Sequence, residues 1–403
     1  MAGRRYRVRV RGPLEEFGEE FRTELIRLGY SWASAEAQLG LMKHLSCWLG
    51  SQGVSAGDLT PEMAAQFMAA RRLVHSQLRG PRALVPLLDF LREQGAAPRP
   101  TVVAAATPAD VVAERFAQYL LQQRGLAAAT VRSYVSQVRP FLVEHVGEDG
   151  RCGSLTARQV AAFVTGRAVG QRPRSVQVGA NALRALLRWL WREQMVPALL
   201  VDAIGSVAAP TLNGIPRALS SQQVSDMLAA LPADGPVRLR NQAMLTLMWR
   251  LGLRAGEVAA LSLDDIDWRS AVVTVLGKGG GCEQLPLPVD VGKLLADYVR
   301  RGRPAGNAHR QVFLGVDAPH RPVGAAAVSS VAARSFARAG ITGPGAAHRL
   351  RHTAACGVLA GGGGLVEAGQ LLRHRSPAAT AIYAKSDVAA LAALTRPWPR
   401  SAT

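Results

Sequence analysis

The chain has 403 residues, 48% hydrophobic, with 48 Lys+Arg against 29 Asp+Glu and a formal net charge of +19. That length supports two or three domains with ample core, and that charge implies a polyanionic partner, nucleic acid first, because released counterions drive such association. A membrane span lacks its long uncharged apolar run, a signal peptide lacks its apolar block where Pro13-Leu14-Glu15-Glu16 stands, and the scattered Cys47, Cys152, Cys282 and Cys356 suit reduced cytoplasmic thiols, not a disulfide framework or zinc site.

In chain order, Arg4, Arg5, Arg7, Arg9 and Arg11 alternate and read as a disordered basic arm. Residues 14–95 and 108–200 then read as two diverged copies of one helical unit. Each opens on an amphipathic helix, Phe17, Phe21, Leu25 and Leu28 in the first and Phe116, Leu120 and Leu121 in the second. Each reaches a glycine, Gly29 or Gly125, and a second helix (Leu39, Leu41, Leu45 and Trp48; Val131, Tyr134, Val138 and Leu142). A threonine cap follows in both, Thr60 and Thr156. Residues 86–94 parallel 185–194, where Trp189 and Trp191 read as core. Arg172 and Arg174, before Ser175 at a helix start, suit phosphate contacts or a solvated loop. Pro98, Pro100 and Pro108 mark one linker, and Pro210, Gly214 and Pro216 another. The expected domains are 1–100, 106–203 and 215–403.

From residue 219 the pattern changes. A helix starts at Leu219-Ser220, a buried helix runs from Asn241 to Leu251 and ends at Gly252, and a strand pair spans 271–277 and 282–288 about a turn at Lys278. Helices resume at 289–301, 325–339 and 347–360. The fold class is mainly α, with a small antiparallel sheet in a mixed α/β C-terminal domain.

The chemistry-bearing residues gather late. His348 and Arg351 share a helix face by their spacing. Ser376-Pro377 signals a helix start, which places His374 just outside that helix and Tyr383 about two turns inside it. His352 reads as a structural histidine, and Arg349 as a phosphate contact or solvated surface. Lysine occurs only at Lys43, Lys278, Lys293 and Lys385. Arginine holds phosphates but cannot give up a proton, so Lys278 on its glycine turn suits proton transfer. Attack on a phosphodiester needs an activated nucleophile, cations for the phosphoryl oxygens and a proton for the leaving oxygen. Tyr383 supplies the first, Arg254 and Arg351 the second, and Lys278 the third, with His348 as proton acceptor or shuttle and His374 as a second donor to the phosphate. No magnesium-type carboxylate cluster accompanies them, so no metal and no cofactor are expected.

The segments G-L-R-A-G-E-V-A-A-L at 252–261, G-K-G at 277–279, H-R-L-R-H-T at 348–353 and H-R-S-P-A-A-T-A-I-Y at 374–383 resemble the motifs of tyrosine-type site-specific recombinases, the phage integrase family. The resemblance covers about 215–390. It implies catalysis by Arg254, Lys278, His348, Arg351, His374 and Tyr383, with Glu257 bracing the site. It implies helical SAM-like DNA-binding units ahead of a mixed α/β catalytic domain, the unit at 108–200 being similar to a core-binding domain. It implies that tyrosine forms a 3′-phosphotyrosyl link to double-stranded DNA without ATP, in a homotetramer, possible paralogues included, away from any membrane and at the nucleoid in the cytoplasm. Integration, excision or resolution of a mobile element would be its use. The alternatives are relaxation by a type IB topoisomerase and a decayed DNA-binding accessory protein. Two departures stand out: Arg373 takes a position where the family usually has glycine, as an added DNA contact or a side chain crowding His374, and Gly361 to Gly364 form a flexible run. Val388, Leu391 and Leu394 form a terminal apolar helix that docks on a neighbour or folds back.

Overall fold

A computed structural model describes residues 7–78, 80–99, 107–206, 218–277, 281–374 and 376–386. The chain divides into two compact units, one of residues 101–213 and the other of residues 1–100 with 214–403. The second unit holds separate apolar clusters for its N-terminal and C-terminal parts.

Residues 101–213 carry α5 (Pro108–Gln122), α6 (Ala128–His145), α7 (Ala157–Ala168) and α8 (Pro173–Arg192), preceded in the chain by α1 (Gly18–Arg27), α2 (Trp32–Ser51), α3 (Pro61–Val74) and α4 (Val85–Glu93) of the other unit. The two sets share local details. Thr60 accepts from the Met63 N–H and Thr156 from the Gln159 N–H, so both third helices start on a threonine oxygen. Gly29 and Gly125, ending the first helices, have φ of +86° and +59°, a region that favours glycine. Phe21 packs on Phe90 at 5.1 Å between ring centroids, and Phe116 on Trp189 at 5.4 Å. Trp191, read as core, is instead 50% exposed, because it lies off the face that carries Leu186, Trp189 and Leu190.

The N-terminal basic stretch is also ordered from residue 7 onward. Val8 donates its N–H to Glu36 at 2.5 Å and accepts from Arg22 at 2.8 Å. Arg7 pairs with Glu19, and the Ser46 hydroxyl donates to the Arg11 carbonyl at 2.7 Å. These bonds replace the disordered arm expected for residues 7–11; Arg4 and Arg5 lie outside the described residues.

The C-terminal part builds its core around α10. Ser220 caps α9 (Ser221–Ala229), and its own N–H is returned to Gln223, a reciprocal cap. Next, α10 (Pro236–Arg250) buries Ala243 to Met248 and stops at Gly252, where φ is +59°. After α11 (Ala255–Ala260), strands β1 (Ile266–Asp267), β2 (Val272–Leu276) and β3 (Cys282–Pro286) form an antiparallel sheet in that order, Val273 facing Leu285. Alternation along β2 buries Val273 and Val275 against the helices. Then come α12 (Val289–Asp297), wound into a π turn at Tyr298–Gly302, α13 (Ala325–Arg338), α14 (Ala346–Ala360), α15 (Leu365–Leu371) and the one-turn α16 (Pro377–Thr380). Mostly helix with one small antiparallel sheet is the class expected. The last stretch differs from expectation in detail: Ser376 makes no side-chain cap, and α16 tightens into a 3₁₀ segment, Ala381–Ser386, that carries Tyr383. No helix among the described residues is long and apolar enough to cross a membrane.

Candidate active site

The site is assembled from two turns with a left-handed residue, Gly252 in one and Arg373 in the other, and one helix. Gly252 ends α10, and its left-handed φ turns the chain so that Arg254 stands at the start of α11. The fit there is close: a Cβ on Gly252 would lie 2.6 Å from Leu372 Cδ2. Glu257, in the first turn of α11, accepts the Arg254 N–H at 2.8 Å and the Arg254 guanidinium at 2.6 Å. Burial alone would raise the Glu257 carboxyl. The Arg254 N–H and the Arg373 charge outweigh it and hold the group below the usual carboxylate range.

On α14, His348 and Arg351 share a face, as their spacing predicts, and line one open pocket with Arg254, Ser329 and Gly345. Arg351 is 3% exposed and donates to the carbonyls of Gly252 and Leu372, which ties α14 to both turns. Burial, and then the charges of Arg254 and Arg373, pulls Arg351 down to about 10, still fully protonated at neutral pH. His348 is lowered by desolvation, then by Arg351 and Arg254.

Tyr383 is 2% exposed. Its hydroxyl lies 2.7 Å from Nδ1 of His352. Burial raises the phenol to about 12 against the opposing pull of Arg351. His352 is pushed down to about 4 by burial and then by His348, Arg351 and His374, so the ring is neutral, and in the tautomer with Nδ1 unprotonated it accepts a hydrogen bond from the phenol. The rings form a chain: His348 to His352 at 4.7 Å, His352 to Tyr383 at 5.4 Å, and Tyr383 to His374 at 6.3 Å. His374 lies between α15 and α16, its Nδ1 2.8 Å from the Thr380 hydroxyl, and burial followed by Arg351, Arg254 and Arg373 lowers it to about 4.

Arg254, His348, Arg351, His374 and Tyr383 are therefore gathered in one region, while Lys278 lies outside the described residues, as do Val388, Leu391 and Leu394. Arg172 and Arg174 are exposed at the start of α8, Arg174 donating to Gln177 at 2.6 Å. Three readings change. Arg373 is no surface contact: its side chain is 1% exposed and pairs with Glu257 at 2.7 Å. With φ of +53° at Arg373, the turn sends the guanidinium inward to Glu257. Arg349 is buried, donating to the Thr342 carbonyl at 2.7 Å and lying over the Phe336 ring. His352 touches the tyrosine hydroxyl where an internal packing role was expected. Its place four residues after His348, on the same helix face, was the available signal. Thr380, six residues after His374, had none.

Residues 217–389 match the model of the phage integrase family, and residues 113–194 that of the phage integrase N-terminal SAM-like domain. The chain is similar to the integrase/recombinase y4rA of Sinorhizobium fredii, 36% identical over 97% of this chain and 96% of the relative. It is also similar to the tyrosine recombinase XerD of Mycobacterium tuberculosis, 31% identical over 68% of this chain and 93% of that one. Among solved structures, the XerH site-specific recombinase bound to palindromic difH substrate in a post-cleavage complex shares the fold, with a TM-score of 0.56 at 16% identity, covering 82% of this chain and 93% of that one.

Proposed function

This chain belongs to the phage integrase family of tyrosine recombinases, and we propose that it cuts and rejoins duplex DNA by attack of the Tyr383 hydroxyl on a backbone phosphorus. The O–P bond that forms gives a 3′-phosphotyrosyl link, and the P–O bond that breaks releases a 5′-hydroxyl. Arg254 and Arg351, facing one pocket with His348, supply positive charge to the non-bridging oxygens where the transition state concentrates it. Lys278 delivers the proton that the leaving 5′-oxygen needs. His348, lowered by burial, takes up the proton that the Tyr383 hydroxyl gives up, directly or as a shuttle, and His374 is a second donor to the phosphate. The ester to tyrosine conserves the energy of the phosphodiester, so religation requires neither ATP nor a metal ion.

The observation that carries the reading is the hydrogen bond from Tyr383 to His352, on the helix that also bears His348 and Arg351. It supports Tyr383 as the nucleophile, since the charge of Arg351, on that helix, also acts on the phenol. Arg172 and Arg174, exposed at the start of α8, are candidate phosphate contacts of the core-binding unit. Double-stranded DNA is the partner, and a homotetramer on DNA is the assembly in which strands exchange, for integration, excision or resolution of a mobile element.

A nicked suicide substrate tests this. The wild-type protein should become covalently attached to the DNA, and Tyr383→Phe should not. Attachment by the Tyr383→Phe protein would move the nucleophile elsewhere and remove the basis of the proposal.

A further inference from the structure

Arg373 stands where the family usually has glycine, and its environment shows what the exchange accomplishes. The backbone keeps the left-handed conformation, with φ of +53°, a strain of about 1 kcal/mol or more for a side-chain-bearing residue. That strain is offset by a set of bonds glycine could not make. The guanidinium donates to the Leu371 carbonyl at 2.9 Å, to the Leu251 carbonyl at 3.3 Å, to the Gly252 carbonyl at 3.4 Å and to Glu257 at 2.7 Å. Two of those acceptors, Leu251 and Gly252, belong to the turn that launches Arg254; Leu371 belongs to the turn that carries His374. One side chain thus joins the two catalytic turns from beneath.

Glu257 is shared between Arg254 and Arg373, one oxygen to each guanidinium. A carboxylate held by Arg254 alone would cancel that arginine's charge and compete with a phosphate for its donors. A second, buried arginine on the same carboxylate restores a net positive charge to the trio. We propose that Arg373 is a positioning residue: it neutralises Glu257 from the buried side, locks the carboxylate in the rotamer that aims Arg254 into the pocket, and leaves the Arg254 charge available to the scissile phosphate. The proposal deepens the phosphodiester-cleavage reading above and rests on it. Arg373 itself does not touch DNA.

Arg373→Met, Arg373→Lys and Glu257→Gln/Arg373→Met, made in the full chain, separate the possibilities. The double variant guards against misfolding, because it removes both buried charges together and strands neither. Each protein is assayed for DNA affinity across a salt series and for single-turnover adduct formation on two suicide substrates. One carries the normal phosphodiester at the cleavage position, the other an uncharged methylphosphonate. For Arg373→Met, affinity and salt slope should stay at wild-type values while cleavage of the phosphodiester falls on the order of 100-fold, the usual effect of misplacing a catalytic group by an ångström. Arg373→Lys should recover part of that rate. On the methylphosphonate, where a neutral methyl replaces one charged non-bridging oxygen and less negative charge develops for Arg254 to hold, the defect should shrink to within about threefold of wild type. The double variant should be no slower than Arg373→Met by more than about twofold, since both changes act through one network. A salt slope reduced by about one would make Arg373 a phosphate contact and overturn the proposal. Equal defects on both substrates would reduce it to a structural residue, and wild-type rates on both would leave it no role. If the wild-type protein forms no adduct at all, the failure belongs to the cleavage reading and not to Arg373.

Discussion

Acid should loosen this molecule at its candidate active site. His352 and His374 are both held at about 4 in the folded protein, against about 6.5 for an unfolded histidine. A lowered histidine pKa means the unfolded chain binds more protons than the folded one throughout that interval. Stability contributed by the neutral rings is thus complete above pH 6.5 and is lost as pH falls from 6.5 toward 4. Between pH 7 and pH 5 each unfolded ring gains its proton over about 1.5 pH units, which is about 2 kcal/mol per histidine. The pair should cost on the order of 3–4 kcal/mol, since the rings influence each other. Deuterium exchange of the peptide covering α14, measured in urea at pH 7 and pH 5, reads that loss. In His352→Gln/His374→Gln the same pH step should cost at least about 2 kcal/mol less. An equal loss in wild type and variant would show that other groups sense the acid, and the electrostatic account of the site would fail. Glu257 adds little over this step: it is lowered in the folded protein, and the unfolded carboxyl near 4.5 takes up most of its proton below pH 5.

Other expectations can be measured directly. Gly252→Ala places a methyl 2.6 Å from Leu372 at a φ of +59°, so it should slow adduct formation at least about tenfold with DNA affinity little changed. Thr353→Val removes the acceptor for the buried Leu219 N–H, bonded at 2.9 Å; a loss of about 1–3 kcal/mol in denaturant unfolding is expected, and no loss would mean water replaces the hydroxyl. Trp189→Ala empties the aromatic cluster with Phe116 and Tyr119 and should cost about 3–5 kcal/mol, seen as proteolytic cleavage within 101–213 while α14 peptides remain protected.

How much of this was legible beforehand follows from what a linear pattern can encode. The helix pairing of His348 with Arg351 was legible because two residues three apart on a helix must share a face. The hairpin strands were legible from alternation and the glycine turn, and the caps at Thr60, Thr156 and Ser220 from local chemistry. Arg373 was misread because its destination is set by a left-handed backbone and by a carboxylate 116 residues earlier, neither of which has a local signature. Arg349 was misread for a similar reason: its carbonyl partner and the Phe336 ring become neighbours only when α13 and α14 pack. The helix expected after Ser376 was right in its start and wrong in its regularity, because the packing of Tyr383 against Ala355, Ala368 and Leu372 draws that segment into a tighter turn.

On the cleavage chemistry proposed above, a protein that joins itself covalently to DNA is a hazard whenever it is idle. With its phenol held at about 12, the hydroxyl keeps its proton at pH 7, and its oxygen is walled off from solvent 2.7 Å from an imidazole nitrogen. Stray contact with DNA therefore finds a sheathed blade. If Tyr383 is the nucleophile, as proposed, its burial makes the resting state itself a guard against random breakage.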